Sequence, residues 1–213
     1  MSQDMPNRIR TAPRADVGPR IAASIAIAAY WLLSLFAIAA NSQWNPLTRQ
    51  LSEYALGHHG WLQDAAFFAT ALAYGCLAVA VRNHARGLAG RIGLGILTAC
   101  AVGSVGVGVF VTDPMTAPPP TLTTHGMLHI AFGAGALILL PAAALLITRD
   151  VARSLPAGSR DQAVMRGLAL LPLAGLLLIW VPEVAGLIPT GGWPDRVLFL
   201  TYTVWVVMLA RKA

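Results

Sequence analysis

The sequence predicts an all-α membrane protein, a polytopic bundle of six transmembrane helices, and three observations carry that prediction. Of the 213 residues, 56% are hydrophobic and only 11% are charged, against roughly 25% charged in an ordinary soluble domain. The apolar residues fall in runs of about 20, the length that crosses a hydrocarbon core of about 30 Å. The charges punctuate those runs and do not line a face that could track a duplex. Despite a net charge of +6 and a pI near 10.2, no nucleic-acid partner is expected, and a disulfide scaffold or a disordered chain is excluded.

In order, a basic tail (residues 1–20) leads into a transmembrane domain over 21–210, with spans near 21–40, 62–82, 92–112, 126–148, 167–188 and 197–210. The first span ends on Ala37-Ile38-Ala39, which has the small residues of a signal cleavage site. Its apolar run of about 20 residues exceeds the 7–15 of a signal core, so a retained helix is expected. Cys76 and Cys100 lie inside spans two and three and read as small core residues. Gly95, Gly103, Gly106 and Gly108 of the third span predict close approach by the fourth, with its Gly133 and Gly135. Pro141, Pro172 and Pro182 predict kinks in the fourth and fifth spans.

Thirteen of the 15 Lys and Arg fall in the N-terminal tail, the second and fourth connections and the C-terminus, and only Arg49 and Arg196 lie on the other side. Positive charge collects in the cytoplasm, so both termini are expected there. An Ala- and Arg-rich chain whose single lysine is Lys212 suits a GC-rich bacterium, hence a bacterial inner membrane. Two outer connections look elaborated. Asn45-Pro46-Leu47, then Leu51 and Tyr54, then Gly57 predict a short interfacial helix acting as a lid, and Pro118-Pro119-Pro120 predicts a stiff extended cover.

At an offset of 66 residues, His59-Gly60-Trp61-Leu62 aligns with His125-Gly126-Met127-Leu128, and 66 further on with Gly191-Gly192-Trp193-Pro194. Three helical hairpins in one orientation are therefore expected. The repeat makes Gln63, His129 and Asp195 equivalent, with Asp64 and Arg196 next to two of them. Asn41, Asp113 and Glu183 stand near the outer ends of the odd spans. Ionisable groups at such depth are costly unless paired or facing a wet cavity, so they mark a candidate site.

The segment Asn45-Pro-Leu-Thr-Arg-Gln-Leu-Ser-Glu-Tyr-Ala-Leu-Gly57, with Phe110-Val-Thr-Asp113 leading to His125-Gly-Met-Leu-His129, resembles the "domain of unknown function 998" family of six-helix membrane proteins. The resemblance covers about residues 20–210. It implies a helical membrane fold with polar motifs gathered on one side, and matches Ser52, Asp113 and His129, together with His125 and Glu183. It supplies no activity.

The chemistry left open is of three kinds. His125 and His129, an i,i+4 pair, could share Zn²⁺ with Asp113 and with His58 or His59, giving a hydroxide for lipid hydrolysis. In residue types this is similar to the ceramidase and adiponectin-receptor superfamily of membrane hydrolases, from which it departs because the pair lies on the fourth of six helices. Without a metal, His129 beside Asp113 or Glu183 could serve as general base with Ser52 as nucleophile. Tyr54, His125, Gln63, Asp195 and Arg196 are then the expected substrate-binding groups. Membrane lipids are the expected partners, and a lipid or amphipathic small molecule the expected substrate. The alternatives are a transporter and a non-catalytic binding or assembly protein whose polar residues form a structural network.

Overall fold

A computed structural model describes residues 17–114, 122–188 and 191–212. The tail arginines Arg8, Arg10 and Arg14 and the Pro118–Pro120 run lie outside the described residues. No strand occurs among the described residues. The long elements are α1 (Val17–Ala40), α2 (Trp61–Val81), α3 (Leu88–Val109) and α4 (Thr124–Arg153), followed by a broken segment and α8 (Gly192–Lys212). The broken segment comprises α5 (Arg160–Leu168), α6 (Leu171–Gly175), a π turn (Leu176–Trp180) and α7 (Val181–Val184). Four single helices and the Arg160–Val184 segment are long and apolar enough to cross a membrane. The 21 residues of α8 open with Asp195-Arg196 and close with Arg211-Lys212, and fall outside that set.

The first helix buries mostly small and polar residues and leaves large apolar ones outward. On α1, Ala23, Ala26, Tyr30, Ser34 and Ala37 are buried while Ile25, Leu32, Leu35 and Phe36 are exposed, an arrangement suited to a hydrocarbon solvent rather than water. Close approach of α3 and α4 rests on glycine. A Cβ at Gly103 would stand 3.0 Å from the Phe132 carbonyl, and one at Gly106 would overlap the Phe132 ring. Gly108 faces Phe68 of α2 instead, Gly133 faces Val107, and Gly95 and Gly135 face open space, so only part of the expected glycine contact is made.

The three prolines act differently. Pro141 lacks the N–H that would serve the Leu137 carbonyl, yet α4 runs through it unbroken. The missing donor comes from α8: the Tyr202 hydroxyl donates to Leu137 O at 2.8 Å. Pro172 follows the break between α5 and α6, and Pro182 follows the π turn. The wider i→i+5 turn takes up the register that a proline cannot continue, so the fifth segment is interrupted twice.

The expected interfacial helix is shorter than the sequence suggests. Asn45 closes a turn, accepting from Leu47 N through Oδ1 at 2.9 Å, and only Leu51–Leu56 is helical, as a single 3₁₀ stretch. Gln50 and Glu53 cap it reciprocally, which is the capping-box pattern. Leu51 and Tyr54 point inward and are buried, and Gly57 ends the stretch. Asn41 ties it to α1, donating to the Ala37 and His58 carbonyls and accepting from His58 N at 2.7 Å.

Candidate functional site

A cavity of about 400 Å³ opens at the end of the bundle that carries the 41–60 connection. Its polar end is made by Gln50 and Ser52 of the 3₁₀ stretch, Thr112 after α3, His129 of α4, Glu183 of α7 and Asp195 of α8. The body is aromatic and aliphatic, with Phe67 and Tyr74 from α2, Leu137 from α4, Trp180 from the π turn, and Phe199 and Tyr202 from α8. One end is thus wet and the rest greasy, the layout of a small-molecule site with a few polar groups that orient the ligand.

The three ionisable groups are each held by backbone. His129 Nδ1 lies 2.7 Å from the Phe110 carbonyl; because a carbonyl only accepts, Nδ1 carries the proton, and when the ring is neutral Nε2 is its acceptor. Phe67 packs edge-on against the imidazole with centroids 6.1 Å apart. Glu183 is buried and accepts from Gly191 N at 3.0 Å, on the approach to α8. Asp195, in the first turn of α8, accepts from Leu51 N at 3.3 Å, which fastens the 3₁₀ stretch across the cavity. Gly133 and Ala134 of α4 also line the cavity, and Ile130 of α4 and Val184 of α7 line it while remaining 45% and 67% exposed. The cavity therefore has a side opening between α4 and α7.

Of the residues singled out in the sequence, Ser52, His129, Glu183 and Asp195 line this one cavity. The others do not. Asp113 turns away: its carboxylate accepts from Thr123 N at 2.7 Å and Thr123 Oγ at 2.9 Å, bracing the residue that caps α4. His125 is exposed and stacks edge-on against Phe110 at 5.6 Å. His58 and His59 are exposed outside the lining. The zinc set His125, His129 and Asp113 is thus not brought together, and among the described residues no three His, Cys, Asp or Glu side chains could hold a metal ion. The physical reason is that the groups point apart, Asp113 braced on Thr123 and His125 packed on the outside of Phe110 while His129 lines the cavity.

Tyr54 and Arg196 meet behind the lid instead of in the cavity. The Arg196 guanidinium stands over the Tyr54 ring, 5.9 Å from its centroid, and donates to the Arg49 carbonyl at 3.1 Å. Arg49 itself pairs with buried Glu53 at 2.5 Å and lies over Trp44. Burial pushes the Tyr54 phenol up, with the Arg196 charge opposing. Gln63 is fully buried one turn before Phe67, and neither of its amide atoms has a hydrogen-bond partner. Such an orphan costs roughly 1–3 kcal/mol. Tyr30 Oη and Ser34 Oγ on α1 are buried and unpartnered as well.

The sequence reading overlooked Gln50, Thr70, Trp180 and Tyr202. A signal was present: Gln63, Phe67, Thr70 and Tyr74 recur at spacings of three and four, as do Asp195, Phe199 and Tyr202, each a single helical face beginning at a polar residue.

No curated protein and no solved structure matches this chain. The family model described as "Protein of unknown function (DUF998)" matches residues 24–212, which covers every helix around the cavity from α2 onward and most of α1, and the chain belongs to that family.

Proposed function

We propose that this is a multi-pass protein of a bacterial inner membrane that admits a lipid or amphipathic small molecule into the cavity from the side and acts on it there. The observation that carries the reading is the cavity itself, greasy in its body and lined at one end by Ser52, His129, Glu183 and Asp195. His129 serves as general base through Nε2, with Phe110 O fixing the tautomer. Glu183 and Asp195 bind or protonate the head of the ligand, and Ser52 on the lid is the candidate nucleophile. Membrane lipids are the partners.

In this reading α8 is the sixth span, and the three hairpins share one orientation, with the arginine-rich end in the cytoplasm. Support comes from Arg20, which donates to the carbonyls of Ala210 and Arg211 at 2.7 Å each and so holds the start of α1 beside the end of α8. Further support comes from His129 and Asp195, equivalent in the repeat and lining the same cavity. Transport has less behind it, because beyond Tyr74 and Tyr202 the bundle is filled by buried Leu77, Leu97, Leu140, Ile147 and Trp205. A binding protein without chemistry is the second reading, favoured by Asp113, Asn41 and Glu53, whose hydrogen bonds tie loops to helix ends.

The test is native mass spectrometry together with conversion of a bacterial lipid extract by protein in nanodiscs. Wild type should carry an amphiphile adduct and form product. His129→Gln should keep the adduct and lose product by about 100-fold or more, the range for a general base. Conversion that survives His129→Gln removes the catalytic assignment and leaves the binding protein, and absence of any adduct removes the cavity reading.

A further inference from the structure

The polar end of the cavity presents acceptors and no cation. His129 Nε2 offers a lone pair, since Nδ1 donates to Phe110 O. The carboxylates of Glu183 and Asp195 both line the space. The two nearest arginines are spent elsewhere: Arg49 on Glu53, and Arg196 on the Arg49 carbonyl and the face of Tyr54. Neither lines the cavity. The remaining polar lining at that end, Gln50, Ser52 and Thr112, is neutral. Two carboxylates facing a low-dielectric space with no cation in the lining are costly to keep ionised, and a ligand that brings a positive charge into the space gains what the lining does not supply.

We propose that the ligand is a long-chain amine, its ammonium group seated among His129, Glu183 and Asp195 and its hydrocarbon chain leaving through the side opening between α4 and α7. This rests on the reading of the cavity as an amphiphile site. An ammonium has three donors and no acceptor, and three acceptor side chains converge here. An aromatic ring also suits a cation, and Phe67 stands at this end, packed against His129. A bare phosphate head asks for the opposite lining. That lining exists at the far end of the bundle, where Arg149, Arg153 and Arg166 border a separate hollow of about 430 Å³.

The test uses three probes of equal chain length, dodecylamine, dodecyl phosphate and dodecyl glucoside, titrated into the full chain in phosphatidylcholine nanodiscs, with binding read from thermal melting. Dodecylamine should bind saturably and at least about tenfold more tightly than either other probe, a difference near 1.4 kcal/mol. Glu183→Gln should reduce that preference to about threefold or less while the ligand-free melting temperature reports that the variant is folded. Asp195→Asn, which keeps an acceptor for Leu51 N, provides the second variant. Ala134→Phe, which narrows the opening without touching a charge, should weaken all three probes together. If the glucoside or the phosphate binds as tightly as the amine and still responds to Ala134→Phe, the amphiphile site stands and the amine is wrong. A preference that persists in both carboxylate variants equally overturns the amine. If no probe saturates, or none responds to Ala134→Phe, the cavity reading fails with it.

Discussion

The two ends of the bundle use charge in opposite ways. At the arginine-rich end, Arg149, Arg153 and Arg166 are exposed, and a deeply buried charge, Asp150, accepts from Gly90 N at 3.2 Å and pairs with Arg153 at 3.3 Å. At the cavity end, Glu53, Glu183 and Asp195 stand inward, each accepting a backbone N–H, and only Glu53 has an ion-pair partner among the described residues. One end is a closed structural joint with its cations solvated. The other keeps carboxylates around an open space. A bundle that needed charge only for orientation would show the first pattern at both ends, so the difference marks where function is to be sought.

The largest effect that would sharpen this comparison is expected at the joint. A Cβ at Gly90 would meet the backbone of Ala85 at 2.8 Å and Asp150 Oδ2 at 2.5 Å, and the backbone cannot yield as a side-chain tip can. Gly90→Leu should destabilise by about 3 kcal/mol or more, read as a fall in melting temperature in detergent. A tolerated Gly90→Leu would mean that α3 and α4 do not meet closely there.

Next in size is the link across the middle. Tyr202→Phe leaves the partly buried Leu137 carbonyl without a donor and should cost about 1–2 kcal/mol. In a Pro141→Ala background the helix regains its own N–H for that carbonyl, so the same substitution should cost distinctly less. Equal costs in the two backgrounds would show that the hydroxyl is not replacing the bond lost to proline, since a double-mutant cycle isolates that coupling.

A smaller loss, about 0.5–2 kcal/mol, is expected when Asp113→Ala takes away the brace on Thr123, the residue that caps α4. Because Asp113 points away from the cavity, probe binding should be unchanged once melting is allowed for. Loss of binding without loss of stability would return Asp113 to the site. The smallest effect belongs to Arg149→Gln: exposed at the far end, it should move stability by no more than about 0.5 kcal/mol and leave amine binding unaltered.

How much of this was legible in the sequence depends on the range of the interaction. Helix existence was legible because an apolar run of membrane length is local, and α1 to α4 fall within a few residues of the expected spans. The fifth span was legible as apolar but not as broken, because whether a proline kinks a helix depends on what replaces its hydrogen bond. Pro141 has Tyr202 opposite and stays within a continuous helix, whereas Pro182 follows a π turn. The lid was overestimated for a similar reason. Asn45 and Pro46 start a turn, and the helix begins only where Gln50 and Glu53 cap each other.

For the site, the 66-residue offset paired His129 with Asp195, which line one cavity, and with Gln63, which is buried outside the lining. Spacing alone misjudged the histidine pair. His125 and His129 are four residues apart, yet one packs on the outside of Phe110 and the other reaches its carbonyl. Side-chain direction at a helix start is set by what lies across from it, which spacing does not encode.

By itself the sequence determined the membrane class, the approximate helices and the division of basic from acidic connections, since apolar length and charge position are properties of each stretch alone. Only the tertiary structure decided which polar residues belong together. Asp150 finds its backbone donor 60 residues away on another helix, and Asp195 finds its own 144 residues away. A buried carboxylate is stable only beside such a donor, and which donor it meets is fixed by how the helices pack.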